Sequence, residues 1–245
     1  MVGPMDYLGL SFDQLDEQAV AALLRGRRAD MGFAYLVTPN VDHVVRLSKL
    51  DREGEEWRAY RMAAWRLCDS RVLALLAAFQ GIRLPVVAGS DLTARLLSDI
   101  VEAGDRVCLI GGREGDVATL ARLRPDIDVV QHIPPPGLRE DRAARIAAAR
   151  FAADSGARFV LIAVGSPQQE LIAAELAIQP GARGTALCIG ASIDFLSGRA
   201  TRAPRWMRRL ALEWLHRLLS NPRRLWRRYL VEGPAILLLA WRFRR

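Results

Sequence analysis

Lysine is almost missing from this chain: Lys49 stands alone among 35 basic residues, and the other 34 are arginines. Arginine's planar fork favours bidentate contact with phosphate, although a GC-rich genome gives the same bias with no physical cause. Cysteine is scarce as well. Cys68, Cys108 and Cys188 lie far apart in apolar runs, which excludes a disulfide framework and predicts buried free thiols in a reducing compartment. Long apolar runs are absent: Val72–Phe79 and Pro234–Trp241 fall short of half the roughly 18–20 residues that a spanning helix needs. The first residues, MVGPMDYLGLSFDQLDEQ, lack the basic region and apolar core of a signal peptide, which predicts a cytoplasmic location. Neither a GxGxxG fingerprint nor a P-loop occurs, and no internal repeat or low-complexity linker is present.

What remains is a globular composition. Of 245 residues, 51% are apolar and 25% charged, enough to bury a sizeable core and to exclude wholesale disorder. The net charge of +8 is unevenly placed. From Arg199 to Arg245, thirteen arginines face only Glu213 and Glu232, a surplus of +11, whereas the first 198 residues carry −3. An anionic partner is therefore expected at the C-terminal end.

Short apolar runs alternate with longer amphipathic ones. Phe33–Thr38, Arg106–Gly112, Ile127–Gln131, Arg158–Gly165 and Thr185–Ala191 read as buried parallel strands. Between them, Val41–Leu50, Asp91–Glu102, Gly115–Leu123, Arg139–Ser155 and Pro167–Ile178 carry helical periodicity. This rhythm predicts an α/β fold, a Rossmann-like parallel sheet with flanking helices. After Ala191 it stops. An arginine-rich helical appendage is expected instead: Arg205–Leu219, a break at Asn221-Pro222, Arg223–Val231 and a last apolar stretch. The expected division is a catalytic domain over 1–198 and a basic appendage over 199–245.

In an open parallel sheet, ligands bind beyond the carboxyl ends of the strands, so the strand-end loops are the first places to look. Thr38-Pro39-Asn40 offers two small hydrogen-bonding side chains at a strand exit, or simply a turn and a helix cap. Gly111-Gly112-Arg113-Glu114-Gly115 suits either a phosphate-cradling turn or a tight strand-to-helix connection. In Gly165-Ser166-Pro167-Gln168-Gln169-Glu170, Ser166 is placed to cap a helix, Pro167 to start it and Glu170 to complement its dipole, which leaves Gln169 unaccounted for. Asp69, in Cys68-Asp69-Ser70, is either an N-cap or a general base. Asp126-x-Asp128 has the DxD spacing of metal-dependent sugar transferases, but its place at a strand entry favours solvated carboxylates, and no metal site is expected.

The blocks TPNVDHVV, AGSDL, CLIGG, VGSPQQE, GASIDFLSG and RAPRWMRRLALEWLHRLLSNPRRLWRRYL, in this order over roughly residues 33–232, resemble the WecG/TagA/CpsF glycosyltransferases, glycosyltransferase family 26. The resemblance implies inverting, metal-independent transfer of a hexosyl or N-acetylhexosaminyl group from a UDP-sugar, with no cofactor. The implied acceptor is a polyprenyl-diphosphate-linked saccharide at the inner face of the cell membrane. Matched to the family's motifs, Asp69 is the catalytic base. Thr38 and Asn40 belong to the TPN active-site loop, Gln169 is the active-site glutamine, and Asp194 lines the pocket. Arg217, Arg224 and Arg227 are implied to reach the nucleotide diphosphate. The chain departs from the family in having Ser70 where glycine usually follows the aspartate, and Gln131-His132-Ile133-Pro134-Pro135-Pro136 where a Gly-aromatic pair is common.

Inverting transfer needs a carboxylate to accept the acceptor's proton and positive charge to stabilise the departing diphosphate, and in this chain arginines are expected to supply that charge. Trp206, Trp214, Trp226, Tyr229 and Trp241, interleaved with the arginines, predict peripheral contact with an anionic membrane surface. A homo-oligomer is left open. An RNA-binding protein using the arginine and aromatic tail is the competing reading. It leaves TPN, Asp69 and PQQE without a task and offers no recognised module, so no nucleic-acid partner is expected.

Overall fold

The computed structural model describes residues 3–243, so Arg244 and Arg245, counted in the basic tail, lie outside the described residues. A short hairpin, β1 (Met5–Tyr7) and β2 (Leu10–Phe12), precedes α1 (Glu17–Arg25). The main sheet is built from β3 (Ala34–Val37), β4 (Trp65–Arg66), β5 (Arg106–Gly111), β6 (Asp128–His132), β7 (Phe159–Ala163) and β8 (Thr185–Cys188). Its order is β4-β3-β8-β7-β5-β6, and every neighbouring pair is parallel. This is the expected Rossmann-like arrangement.

Side chains alternate between two cores, one on each face of the sheet, as the strand period of two requires. Tyr35, Val37, Cys108, Ile110, Val160, Ile162, Ala186 and Cys188 point to one core, and Leu36, Val107, Leu109, Phe159, Leu161 and Leu187 to the other. Helices α2 (Val41–Leu47), α3 (Glu55–Met62), α4 (Arg71–Ala78), α7 (Arg142–Asp154) and α8 (Gln168–Ala177) cover the first face. Helices α1, α5 (Gly89–Arg95), α6 (Asp116–Leu123) and α9 (Ser192–Leu196) cover the second. Burial on both faces is why these strands read as continuous apolar runs. The three cysteines are buried free thiols.

The tail folds back onto the body. Its first predicted helix is divided: α10 (Arg205–Arg209) ends before Ala211, which adopts φ +59°, and α11 (Glu213–Ser220) follows. The Leu212 amide donates to the Met207 carbonyl at 2.8 Å, closing α10 through a left-handed residue as glycine usually does. With alanine there instead, the break carries no compositional signal. Pro222 does open α12 (Pro222–Trp226), and a wide turn over Arg227–Glu232 leads to α13 (Ala235–Arg242). Ile236 and Ala240 of α13 enter the first core, so this last helix packs against the body. No described helix is long and apolar enough to cross a membrane.

Candidate active site

Three loops meet beyond the carboxyl ends of β3 and β4. After β3, Asn40 caps α2: its side-chain oxygen accepts from the Asp42 amide at 3.0 Å. Thr38, two residues earlier, is buried. The Asp69 amide donates to the Pro39 carbonyl at 3.0 Å, which fixes the aspartate beside this loop. Ser70 caps α4 from an ordinary extended backbone, accepting from the Leu73 amide at 3.2 Å. A glycine is therefore not required after Asp69 here.

Gly89 completes the contact, because a Cβ there would lie 3.2 Å from the Thr38 hydroxyl and 3.7 Å from Asp69 Oδ2. The AGSDL block thus provides the close approach that joins Thr38 to Asp69. Above them lies a cleft of about 480 Å³, lined by Asn40, Asp42, Asp69, Arg217 and Arg228, with Leu237 on its apolar wall. A larger hollow of about 1320 Å³ lies behind the β1–β2 hairpin, but none of Thr38, Asn40, Asp69 and Gln169 lines it.

Burial pushes the Asp69 carboxyl up to about 7. Arg217 opposes the rise, Glu213 adds to it, a backbone hydrogen bond at Gly89 opposes it and Asp91 adds again. A carboxyl poised near neutrality suits a general base better than it suits a structural cap. Arg217 is held by Glu213 at 2.9 Å, and its guanidinium lies 5.7 Å from the Phe195 ring centre. Arg208 and Arg202 both pair with Asp91, and Arg202 also donates to the Ser90 hydroxyl at 2.8 Å. The tail thereby closes over the strand ends.

Of the residues singled out in the sequence, Asn40, Asp69 and Arg217 line the cleft, with Thr38 buried against Gly89 beneath it. Gln169 lies deeper. Its Oε1 accepts from the Gly190 amide at 2.8 Å and its Nε2 donates to Glu170 at 2.8 Å, so it ties the end of β8 to α8. Asp194 pairs with Arg199 at 2.8 Å outside the cleft lining. Arg224 and Arg227 are exposed, and Arg227 is 3.5 Å from Glu232. The arginine that reaches the cleft from that stretch is Arg228, whose Nη2 is 3.2 Å from Asp42 Oδ2.

Ser166 departs from its expected capping role. Its hydroxyl accepts from Arg46 at 2.7 Å and donates to Glu170 at 2.8 Å, while Arg46 also donates to Glu56 at 2.8 Å. Glu170 is fully buried, and that burial raises its pKa against the hydrogen bonds from Gln169 and Ser166 and the charge of Arg46. No spacing rule links residues 46, 56, 166 and 170, so sequence reasoning had no means of finding this support.

The Gly111–Gly115 turn is occupied from within. Asp116 accepts from the Arg113 amide at 2.8 Å and pairs with both terminal nitrogens of Arg199. Asp126 pairs with Arg124, and Asp128 with Arg106, at the amino-terminal end of β6, away from the cleft. Among the described residues, no group of three His, Cys, Asp or Glu side chains is arranged to hold a metal. The family model described as the Glycosyl transferase WecG/TagA/CpsF family matches residues 5–245.

Proposed function

The chain belongs to the WecG/TagA/CpsF glycosyltransferase family, whose members work in cell-surface polysaccharide synthesis, and on that premise we propose an inverting, metal-independent transfer with Asp69 as the general base. The donor is a UDP-linked hexose or N-acetylhexosamine and the acceptor a saccharide on a polyprenyl diphosphate. The acceptor hydroxyl oxygen attacks the anomeric carbon from the side opposite the leaving diphosphate. As that bond forms, the bond from the anomeric carbon to the diphosphate oxygen breaks and its electron pair leaves with UDP. The hydroxyl proton passes to Asp69, and Arg217 stabilises the charge gathering on the leaving diphosphate. Asn40 and Thr38 shape the floor on which the acceptor sugar rests.

The observation that carries this reading is the carboxyl of Asp69, raised to about 7 at the base of a cleft that also holds Arg217. Asp69→Asn keeps size and polarity but removes the basic oxygen. Turnover is expected to fall by about 10²-fold or more, with UDP binding retained. The assay uses a UDP-sugar panel in EDTA with a short-chain, soluble acceptor, and the product's anomeric configuration is read by NMR. Near-normal turnover in Asp69→Asn removes the base assignment, and a product of retained configuration removes the single displacement. Loss of activity in EDTA that manganese restores removes the metal-independent mechanism.

A further inference from the structure

We propose that Arg228 binds the diphosphate of the lipid-linked acceptor, and so selects acceptors that carry one. The proposal rests on the glycosyl-transfer reading above.

Two arginines of the cleft stand in different surroundings. Arg217 is held by Glu213, packs near the Phe195 ring and acts on the Asp69 carboxyl, which places it at the reacting end. Arg228 belongs to the wall formed by the last turns of the chain, where Leu230 and Leu237 line the same cleft and remain more than half exposed. A diphosphate whose far end is an isoprenoid chain matches a cation beside an open apolar wall. The donor's diphosphate, which ends in a polar nucleoside, has no use for that wall.

Arg228 is also incompletely partnered. Asp42 meets it through Nη2 at 3.2 Å, and its buried Nε has no hydrogen-bond acceptor among the described residues. One carboxylate thus serves a fork of five donors, and Asp42 itself lies 3.8 Å from a second guanidinium, that of Arg46. A diphosphate offers several charged oxygens to such a fork, and bidentate phosphate contact is what arginine supplies best. Asp42 is then the counter-ion of Arg228 that a diphosphate displaces. When the acceptor's diphosphate replaces it at Arg228, Arg46 remains to neutralise it.

Both substrates carry a diphosphate, so the experiment separates them. The full-length protein is assayed with one saccharide in two soluble forms, a short-chain polyprenyl diphosphate and a neutral alkyl glycoside, with donor concentration varied independently. Arg228→Gln is expected to raise KM for the diphosphate acceptor about tenfold while leaving KM for the alkyl glycoside and for the donor within twofold. Arg228→Lys, which keeps the charge without the fork, should fall between, and it carries the test alone if the glutamine variant fails to fold. Arg223→Gln, an exposed charge on α12, serves as the control for a general charge effect. An unchanged preference for the diphosphate acceptor in Arg228→Gln overturns the proposal. A rise confined to donor KM also overturns it, because it assigns Arg228 to the leaving diphosphate. Absence of transfer by the wild-type protein to either acceptor refutes the glycosyl-transfer reading instead.

Discussion

At the scale of single residues, Asp69 shows how burial sets chemistry. Asp69 sits half-buried between the loop after β3 and Gly89, and its pKa rises from the ordinary carboxylate range to about 7. Two consequences follow with opposite signs. As the proposed base, Asp69 works only when ionised, so kcat/KM should rise with pH and level off above about 7, and the same step should be absent from the residual rate of Asp69→Asn. Stability runs the other way. Between about pH 4 and 7 the folded protein holds a proton on Asp69 that the unfolded chain has released, so folding loses stability as pH rises through that window. Urea unfolding of wild type and Asp69→Asn across pH 4–8 checks this: the difference in favour of the asparagine variant should grow to about pH 7 and then stay constant. A constant difference over the whole range would mean that the carboxyl titrates normally and is not enclosed.

Elements were legible wherever burial on both faces wrote a continuous apolar run. All five expected strands are present: β3, β5, β7 and β8 are covered on both faces, whereas β6 is a half-buried edge strand framed by turn residues. The strand that leads to Asp69, β4, was not legible because it is two residues long, and β1 and β2, of three residues each, are equally below any periodicity. Within the site, Asp69 and Asn40 stood out because strand-end polar residues are few. Arg208, Glu213 and Arg228 did not, because in a segment so rich in arginine nothing local marks which side chains turn inward. That selection is made by long-range ion pairs. Asp91 holds both Arg202 and Arg208 and so fixes the entry into α10 and α11, the element that carries Arg217. Asp91→Asn should therefore increase hydrogen exchange over residues 205–220 and lower kcat several-fold, with little change in exchange within β5, β7 and β8. Unchanged exchange over 205–220 would show that the buried tail residues Met207 and Leu218 hold this element unaided.

At the scale of the molecule, the tail divides its side chains between two tasks. Ala203, Met207, Leu218, Ile236 and Ala240 are buried against the body, yet ten of the seventeen exposed large apolar side chains among the described residues also lie after residue 199. That concentration, in the last fifth of the chain and among exposed charges such as Arg223 and Arg224, supports the proposal that this surface meets lipid headgroups. Each arginine near an anionic leaflet contributes about 1 kcal/mol, and the attraction decays within a Debye length of about 8 Å at physiological salt. Binding is therefore expected to be reversible and salt-sensitive, with apolar insertion by Leu238 and Trp241, both more than 60% exposed on α13, supplying the salt-resistant part. Co-sedimentation with vesicles containing phosphatidylglycerol tests the division. Leu238→Glu with Trp241→Glu should release the protein from vesicles while transfer to a soluble acceptor stays within about twofold, because neither side chain touches the core or lines the cleft. Deleting residues from 199 onward should abolish transfer to the soluble acceptor as well, since Arg217 leaves with the tail. It should also lower the unfolding temperature, because burial of Ile236 alone is worth about 2 kcal/mol. If the double variant still binds vesicles fully at low and high salt, α13 does not face the membrane. If the truncated body still transfers sugar at full rate, the tail has no part in the active site.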